Sequence, residues 1–147
     1  MIELRIYGEA APQGSKTLTR YGGMREVSKK VQPWRASIQY ASEQQYKGPV
    51  ITGPVSVEIE FILHRAKSHW SRAIGKEHEL LPSAPQECTV GGDLDKLVRG
   101  LLDPLTVRCG GNILDDDKQV VVLNARKRYA DRREAAGAVV KIEEIWL

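Results

Sequence analysis

Five aspartates in two short runs are the residues best suited to chemistry. Asp93 and Asp95 stand two apart in "GGDLDKLVRGLLDPL", and Asp115, Asp116 and Asp117 adjoin in "ILDDDKQVVV". Adjacent carboxylates repel each other, and a hard divalent cation relieves that repulsion. Mg²⁺ takes oxygen donors, usually one or two carboxylates completed by water and substrate phosphate. Two such ions about 3.5–4 Å apart are a known device for phosphodiester hydrolysis. The competing explanation is local. Asp is a preferred helix cap and is favoured at the positive end of a helix, by roughly 0.5–2 kcal/mol. "GDLD" alone reads as a cap. Three adjacent acids are more than one turn uses, so both explanations stay open on the residues themselves.

The elements that carry these acids limit how they can meet. Each helical residue turns ~100°, so positions two apart point about 200° away from each other. Asp93 and Asp95 therefore converge only at a helix start, with Asp93 in the cap and Asp95 in the first turn. Gly91 and Gly92 ease that entrance. Leu94, Leu97, Val98, Leu101, Leu102 and Leu105 follow at helical spacing and form an apolar stripe. Pro104 should end or kink the helix. Arg99 lies one turn after Asp95 on the polar side. It is either an i, i+4 ion-pair partner, at ~0.3–0.5 kcal/mol, or a cation for a phosphate. Asp103, a further turn on, reads as a helix-end acid outside the ligand set.

The rest of the chain supplies a scaffold. "IELRIY" and "PVSVEIEFIL" alternate as strands, the second with Val55, Val57, Ile59, Phe61 and Leu63 on one face. Residues 8–24 read as a loop carrying "PQGSKTLTR". "VQPWRASIQYASEQQYKGP" reads as a helix with Pro33 in its first turn and Gly48-Pro49 after it. Trp34, Ile38, Ala41 and Gln45 follow its helical spacing. Residues 65–92 show no period and read as a long loop or lid. "QVVVLNARKRY" and "GAVVKIEEIWL" read as two strands, and "ADRREAAG" between them suggests an antiparallel hairpin. The expectation is an α/β fold: one domain over residues 1–147, with a mixed sheet of about four strands and two main helices.

Composition narrows the class. The 147 residues are 41% hydrophobic, enough for a core, and 28% charged. No run approaches the ~18 apolar residues of a membrane helix, and the charged start is a strand rather than a signal peptide. Two cysteines, Cys88 and Cys109, argue against a disulfide scaffold and fit a reducing cytoplasm. The net charge of +3 hides an asymmetry: setting aside the five aspartates leaves 14 acids against 22 bases, a balance of +8. A basic body around a small acidic spot suits a metal-dependent nuclease; mixed surface charge with chance clustering is the alternative. Candidate DNA contacts are Lys16, Arg20, Lys29, Lys30, Lys96, Lys118, Arg126, Lys127, Arg128, Arg132 and Arg133. As a set they predict binding that weakens steeply with salt. His64, His69, His78 and Cys88 match no standard zinc spacing. Of Trp34, Trp70 and Trp146, Trp70 in the long loop is the best base-stacking candidate.

Together, "GGDLDKLVRGLLDPL" and "ILDDDKQVVVL" resemble the RusA-type Holliday junction resolvases, common in phages and prophages. Their pattern is D-[LI]-D-N-L, a basic residue and D-A-L on one helix, then D-D-[SA]-Q-[VI] at a strand start. Agreement is strong from Asp93 to Val122 and looser over the N-terminal half, where "PQGSK" and "QPWR" also look like phage members. The resemblance implies a homodimeric endonuclease that cuts four-way DNA junctions with Mg²⁺, Mn²⁺ being a possible substitute, and needs no nucleotide cofactor. Metal-binding acids would fall on Asp93, Asp95 and Asp117, with Asp116 beside them, and the family's helix lysine on Arg99. Lys96 departs from the usual Asn, Lys118 from a small residue, and Pro104 from Ala. Two other functions are carried alongside. One is a non-catalytic protein that binds branched DNA. The other is a nucleotide pyrophosphatase, whose usual E-x-x-E helix pattern is absent.

Overall fold

In the computed structural model, which describes residues 1–13, 16–18, 24–26 and 29–146, the side chains at 16–18 and 24–26 lie outside what is described. The predicted contacts of Lys16 and Arg20 therefore fall outside the described residues. The chain runs β1 (Ile2–Tyr7), β2 (Lys16–Leu18), β3 (Met24–Glu26), α1 (Val31–Gln45), β4 (Val55–Leu63), α2 (Leu94–Leu102), β5 (Val120–Tyr129) and β6 (Gly137–Glu144). Alternation in β4 puts Val55, Val57, Ile59, Phe61 and Leu63 into the core, while Glu58 stays exposed. The same division continues across the sheet in Leu4 and Ile6 of β1 and in Ala138, Val140 and Ile142 of β6. Both helices cover this apolar side, with Trp34 and Ile38 of α1 and Leu97 and Leu101 of α2 packed into one core. This is the expected α/β fold with a four-stranded mixed sheet and two helices.

The strand order is β1-β6-β4-β5, which overturns the expected final hairpin. β5 and β6 do not pair. β4 lies between them, parallel to β5 and antiparallel to β6. The physical reason is the length of the connection. Crossing two strand spacings is about 10 Å, which residues 130–136 span easily, and the chain is tied down on the way where Ala130 N–H donates to the Leu63 carbonyl at 2.7 Å. Parallel pairing of β4 with β5 then needs a crossover, and α2 supplies it. A second difference lies in residues 8–24, expected as a loop. They hold β2 and the first residue of β3, which pair antiparallel from Lys16↔Glu26 to Leu18↔Met24. Three-residue strands are too short to show alternation.

The two edges of the sheet differ. On β1, Gln45 at the end of α1 takes both backbone groups of Arg5, accepting from its N–H and donating to its carbonyl, each at 2.8 Å. This covers part of an edge that would otherwise be open. Gln45 thus stands on the helix but outside the buried stripe of Val31, Trp34, Ile38 and Ala41. On the side of the sheet away from the helices, Glu60 holds Arg126 at 2.6 Å and Arg128 at 2.8 Å. Arg128 also forms a bidentate pair with Glu134, at 2.6 and 2.7 Å. Arg126 and Arg128, expected to contact DNA, tie β4, β5 and the following turn together, with the Arg126 side chain still 70% exposed.

The Arg128 hydrogen bonds hold the Glu134 carboxyl down at about 2, well below its ordinary 4.5, against the opposing effect of burial. A depressed folded value gives stability that is complete above the unfolded pKa and lost as pH falls through the folded one. Glu134→Gln should destabilise the fold at pH 7 by on the order of 2 kcal/mol after solvent screening. Denaturant titrations at a series of pH values should show that difference shrinking between 4.5 and about 2.

Candidate active site

The entrance to α2 has the form the spacing requires. Asp93 is the cap residue, with extended backbone, and its carbonyl accepts the Leu97 N–H at 3.0 Å. Its carboxylate makes no capping hydrogen bond, although Asp is chosen at caps for that bond. The side chain is 73% exposed instead. Gly91 and Gly92 precede it with φ of +87° and +104°, where other residues are strained. A Cβ on Gly91 would also lie 2.9 Å from Leu63, and one on Gly92 3.0 Å from Pro12. Lys127 holds the same segment from the sheet. Its ammonium donates to the carbonyls of Val90 at 3.0 Å and Gly92 at 2.8 Å. Expected as a DNA contact, Lys127 thus positions the approach to Asp93.

Asp95 follows in the first turn, exposed, and Arg99 is exposed one turn on. Lys96 bends back towards Asp93, with Nζ 3.7 Å from Oδ2. On the other flank, residues 11–13 run across α2. The Ala11 carbonyl passes where a Cβ on Gly100 would lie within 2.8 Å, so only glycine admits it. Gln13 donates its N–H to the Lys96 carbonyl at 3.0 Å and its side-chain amide to Asp103 at 2.5 Å.

The second acidic run forms a one-turn 3-10 helix, Asp117–Gln119, ahead of β5. Asp116 caps it. Oδ1 accepts the Lys118 N–H at 3.0 Å, and the Asp116 N–H donates to Gln119 Oε1 at 2.8 Å. The Gln119 amide reaches the carbonyls of Ile51 and Gly53 at 2.7 and 2.9 Å, so this one side chain clamps the acidic turn to the segment before β4. Its place in the sequence motif marked it, but its role depends on partners 66 and 68 residues away. Arg108, which sequence reasoning missed, stands 3.8 Å from Asp116 Oδ2 and is 65% exposed.

The electrostatics single out Asp117. Burial, a hydrogen bond shared with Asp116 and the charges of Asp103 and Asp116 push its carboxyl above the usual range, with Arg108 opposing. The Lys118 N–H and the Asp117 hydrogen bond hold Asp116 below it. Asp103, read from the sequence as a bystander, is therefore the α2 acid that acts on the second cluster. Among the described residues, no three His, Cys, Asp or Glu side chains are grouped closely enough to hold a metal ion. The predicted acids stand as two groups, Asp93 with Asp95 at one end of α2, and Asp116 with Asp117 near Asp103 beyond the other. The donor chemistry still suits Mg²⁺. All donors are carboxylate oxygens, Asp117 lies in an excess of negative charge, and this ion needs only one or two protein carboxylates.

Cys88 and Cys109 are both free thiols, and no described helix is long and apolar enough to cross a membrane. No curated protein matched the chain in a sequence comparison. The family model described as endodeoxyribonuclease RusA matches residues 8–143, spanning both acidic runs, the crossover helix and most of the sheet. The chain belongs to the RusA family of endodeoxyribonucleases.

Proposed function

We propose that this endodeoxyribonuclease is an Mg²⁺-dependent resolvase of four-way DNA junctions, acting in recombination or repair. The observation that carries the reading is the cap at α2: Asp93 occupies a position that calls for a capping bond, yet turns its carboxylate to solvent. Asp93, Asp95 and Asp117 would supply the metal-binding carboxylates, the first two at the entrance to α2 and Asp117 beyond its other end, each group needing only one or two for an Mg²⁺ of its own, with Mn²⁺ as a possible substitute. Asp116, engaged by the Lys118 N–H and facing Arg108, would keep the turn that presents Asp117 in shape. When bound, the ion supplies Lewis-acid polarisation of the phosphate and a more acidic water. Arg99, exposed one turn beyond Asp95, would bind the non-bridging oxygens of the scissile phosphate and offset the charge that grows there. Lys118 and Lys96 would hold flanking phosphates.

A four-way junction needs two symmetric cuts, which a two-fold dimer provides. Support for a homodimer comes from β5. Among the described residues it pairs with β4 alone, and Val121, Val122 and Leu123 are 61%, 52% and 47% exposed at its start. A run of apolar residues on an open edge strand is a pairing surface. The second reading, a branched-DNA-binding protein without cleavage, draws on Lys96. Its ammonium near Asp93 supplies positive charge where the family's Asn leaves room for a cation.

Three measurements test these assignments. Asp93→Asn should lower cleavage of a fixed four-way junction on the order of 1000-fold, the several kcal/mol a catalytic cation contributes. Junction binding measured without divalent metal should persist. Normal cutting by this variant would remove Asp93 from the site, and no Mg²⁺-dependent cutting by the parent would favour the binding protein. Lys96→Asn removes a positive charge whose Nζ lies 3.7 Å from Asp93 Oδ2; against a divalent ion about 4 Å away that charge is worth ~2 kcal/mol in water. Half-maximal cleavage should then need roughly thirtyfold less Mg²⁺; an unchanged requirement would show that Lys96 leaves the metal alone. In sedimentation equilibrium the parent should run at twice the 16.4 kDa of the chain, and Val121→Glu should run at the single-chain mass. A monomeric parent would refute the dimer.

A further inference from the structure

Residues 65–92, left without a role above, hold a built element. After β4, a 3-10 turn spans Lys67–His69, and Trp70 bridges antiparallel to Leu80. Ser71 N–H donates to the Glu79 carbonyl and Leu81 N–H to the His69 carbonyl, each at 2.9 Å. These bonds close a short hairpin-like finger on a single bridge. Its bend is set by Gly75 at φ +82° and by Lys76 N–H donating to the Ala73 carbonyl. The root is fastened to the end of β5. The His69 ring meets Tyr129 edge-on at 5.6 Å, and the Arg65 guanidinium lies 4.3 Å from the centre of the same Tyr129 ring while donating to the Pro85 carbonyl at 2.6 Å.

Between the finger and the turn after β5 lies a pocket of about 340 Å³, lined by Lys67, Trp70, Ser71, Arg72, Glu77 and Arg132. Arg132 lies 5.1 Å from the centre of the Trp70 ring. Three of the six lining residues are cationic. The one carboxylate, Glu77, accepts the Gly75 N–H at 3.2 Å and so belongs to the bend. The Lys67, Arg72 and Arg132 side chains are exposed, while Trp70 is half-buried and held in place. Apart from Trp70, these are groups that bind phosphate; the indole adds a flat face.

We propose that this pocket binds an unpaired nucleotide of a DNA strand, with its base against Trp70 and its phosphates on Lys67, Arg72 and Arg132. The volume sits at the small end of ligand pockets, which start at about 300 Å³, so it admits one nucleotide and not a duplex. Bases inside a duplex have both faces covered by their neighbours and cannot offer one to an indole. Stacking on an aromatic side chain beside a cationic track is how proteins hold single strands. Several cations in one small pocket suit successive phosphates along a strand better than a single free nucleotide. The finger then gives the enzyme a grip on frayed or single-stranded DNA. This rests on the family activity and not on the metal assignments, so it survives their failure.

The test uses the full chain without divalent metal, so that no strand is cut, and fluorescein-labelled dT12 or a 12-base-pair duplex, read by anisotropy. Trp70→Ala should weaken dT12 binding about tenfold, within the range that one stacked base contributes, and Trp70→Phe should restore most of it. The exposed pair Lys67→Ala with Arg72→Ala should weaken dT12 binding with no change in melting temperature, which separates a lost contact from a lost fold. Duplex binding should change less than twofold in all three. If Trp70→Ala binds dT12 as the parent does, or loses duplex binding equally, the proposal is wrong. Tighter binding of thymidine monophosphate than of dT12 would assign the pocket to a free nucleotide and also overturn it.

Discussion

The burial of one face of α2 governs where every candidate group stands. Leu97, Val98, Leu101, Leu102 and Leu105 are all buried, and at roughly 1.5–3 kcal/mol each they contribute on the order of 10 kcal/mol to seating the helix. Only one rotation about the helix axis buries that stripe. The same rotation turns Asp95 and Arg99 outward and brings Asp103 towards the acidic turn. Its height is set as tightly as its rotation. Gly100 lets the backbone of residue 11 pass against the helix, and Lys127 pins the segment before Asp93. Larger residues at Gly91, Gly92 or Gly100 would push α2 away from the sheet and carry the acids with it.

The crossover has a further consequence. A helix joining two parallel strands runs back along them, so its start lies near their C-terminal ends and its finish near their N-terminal ends. Asp93 therefore belongs with Lys127 near the end of β5, while Asp117 sits ahead of the beginning of β5 beside the charge of Asp103. Ten residues of helix correspond to about 15 Å, which accounts for two acidic groups instead of one cage. Asp103 is the natural link between them, since Gln13 fixes its side chain and its charge acts on Asp117.

What could be read from the sequence was local. The cap at Asp93, the stripe of α2, the alternation of β4 and the stop after Gln45 each depend on residues within a few positions of one another. Pro104 ended the α-helix as expected, with Asp103–Leu105 continuing as a single 3-10 turn. What could not be read was pairing at a distance. The placement of β4 between β5 and β6 depends on which strand edge is available, and no spacing in "ADRREAAG" records it. Gln119 looks like a polar residue at a strand start, yet its partners are Ile51 and Gly53. Residues 65–92 show no period because their order comes from a single β-bridge, Trp70↔Leu80, and from His69 and Arg65 packing on Tyr129.

The same non-local pairing revises the charge argument. A balance of +8 outside the five aspartates suggested a basic body, with Arg126, Lys127 and Arg128 at its centre. In the fold Arg128 holds Glu60 and a bidentate pair with Glu134 that leaves little for a phosphate, Lys127 donates to two carbonyls, and Arg126 holds Glu60 while its side chain stays 70% exposed. Further exposed cations lie on groups that sequence counting could not rank: Arg99 on α2, Arg108 and Lys118 around the acidic turn, and Lys67, Arg72 and Arg132 about the finger. All six are exposed. They come from segments on either side of β5, the strand whose own cations hold the sheet together. The basic run of β5 thus has a folding role of its own.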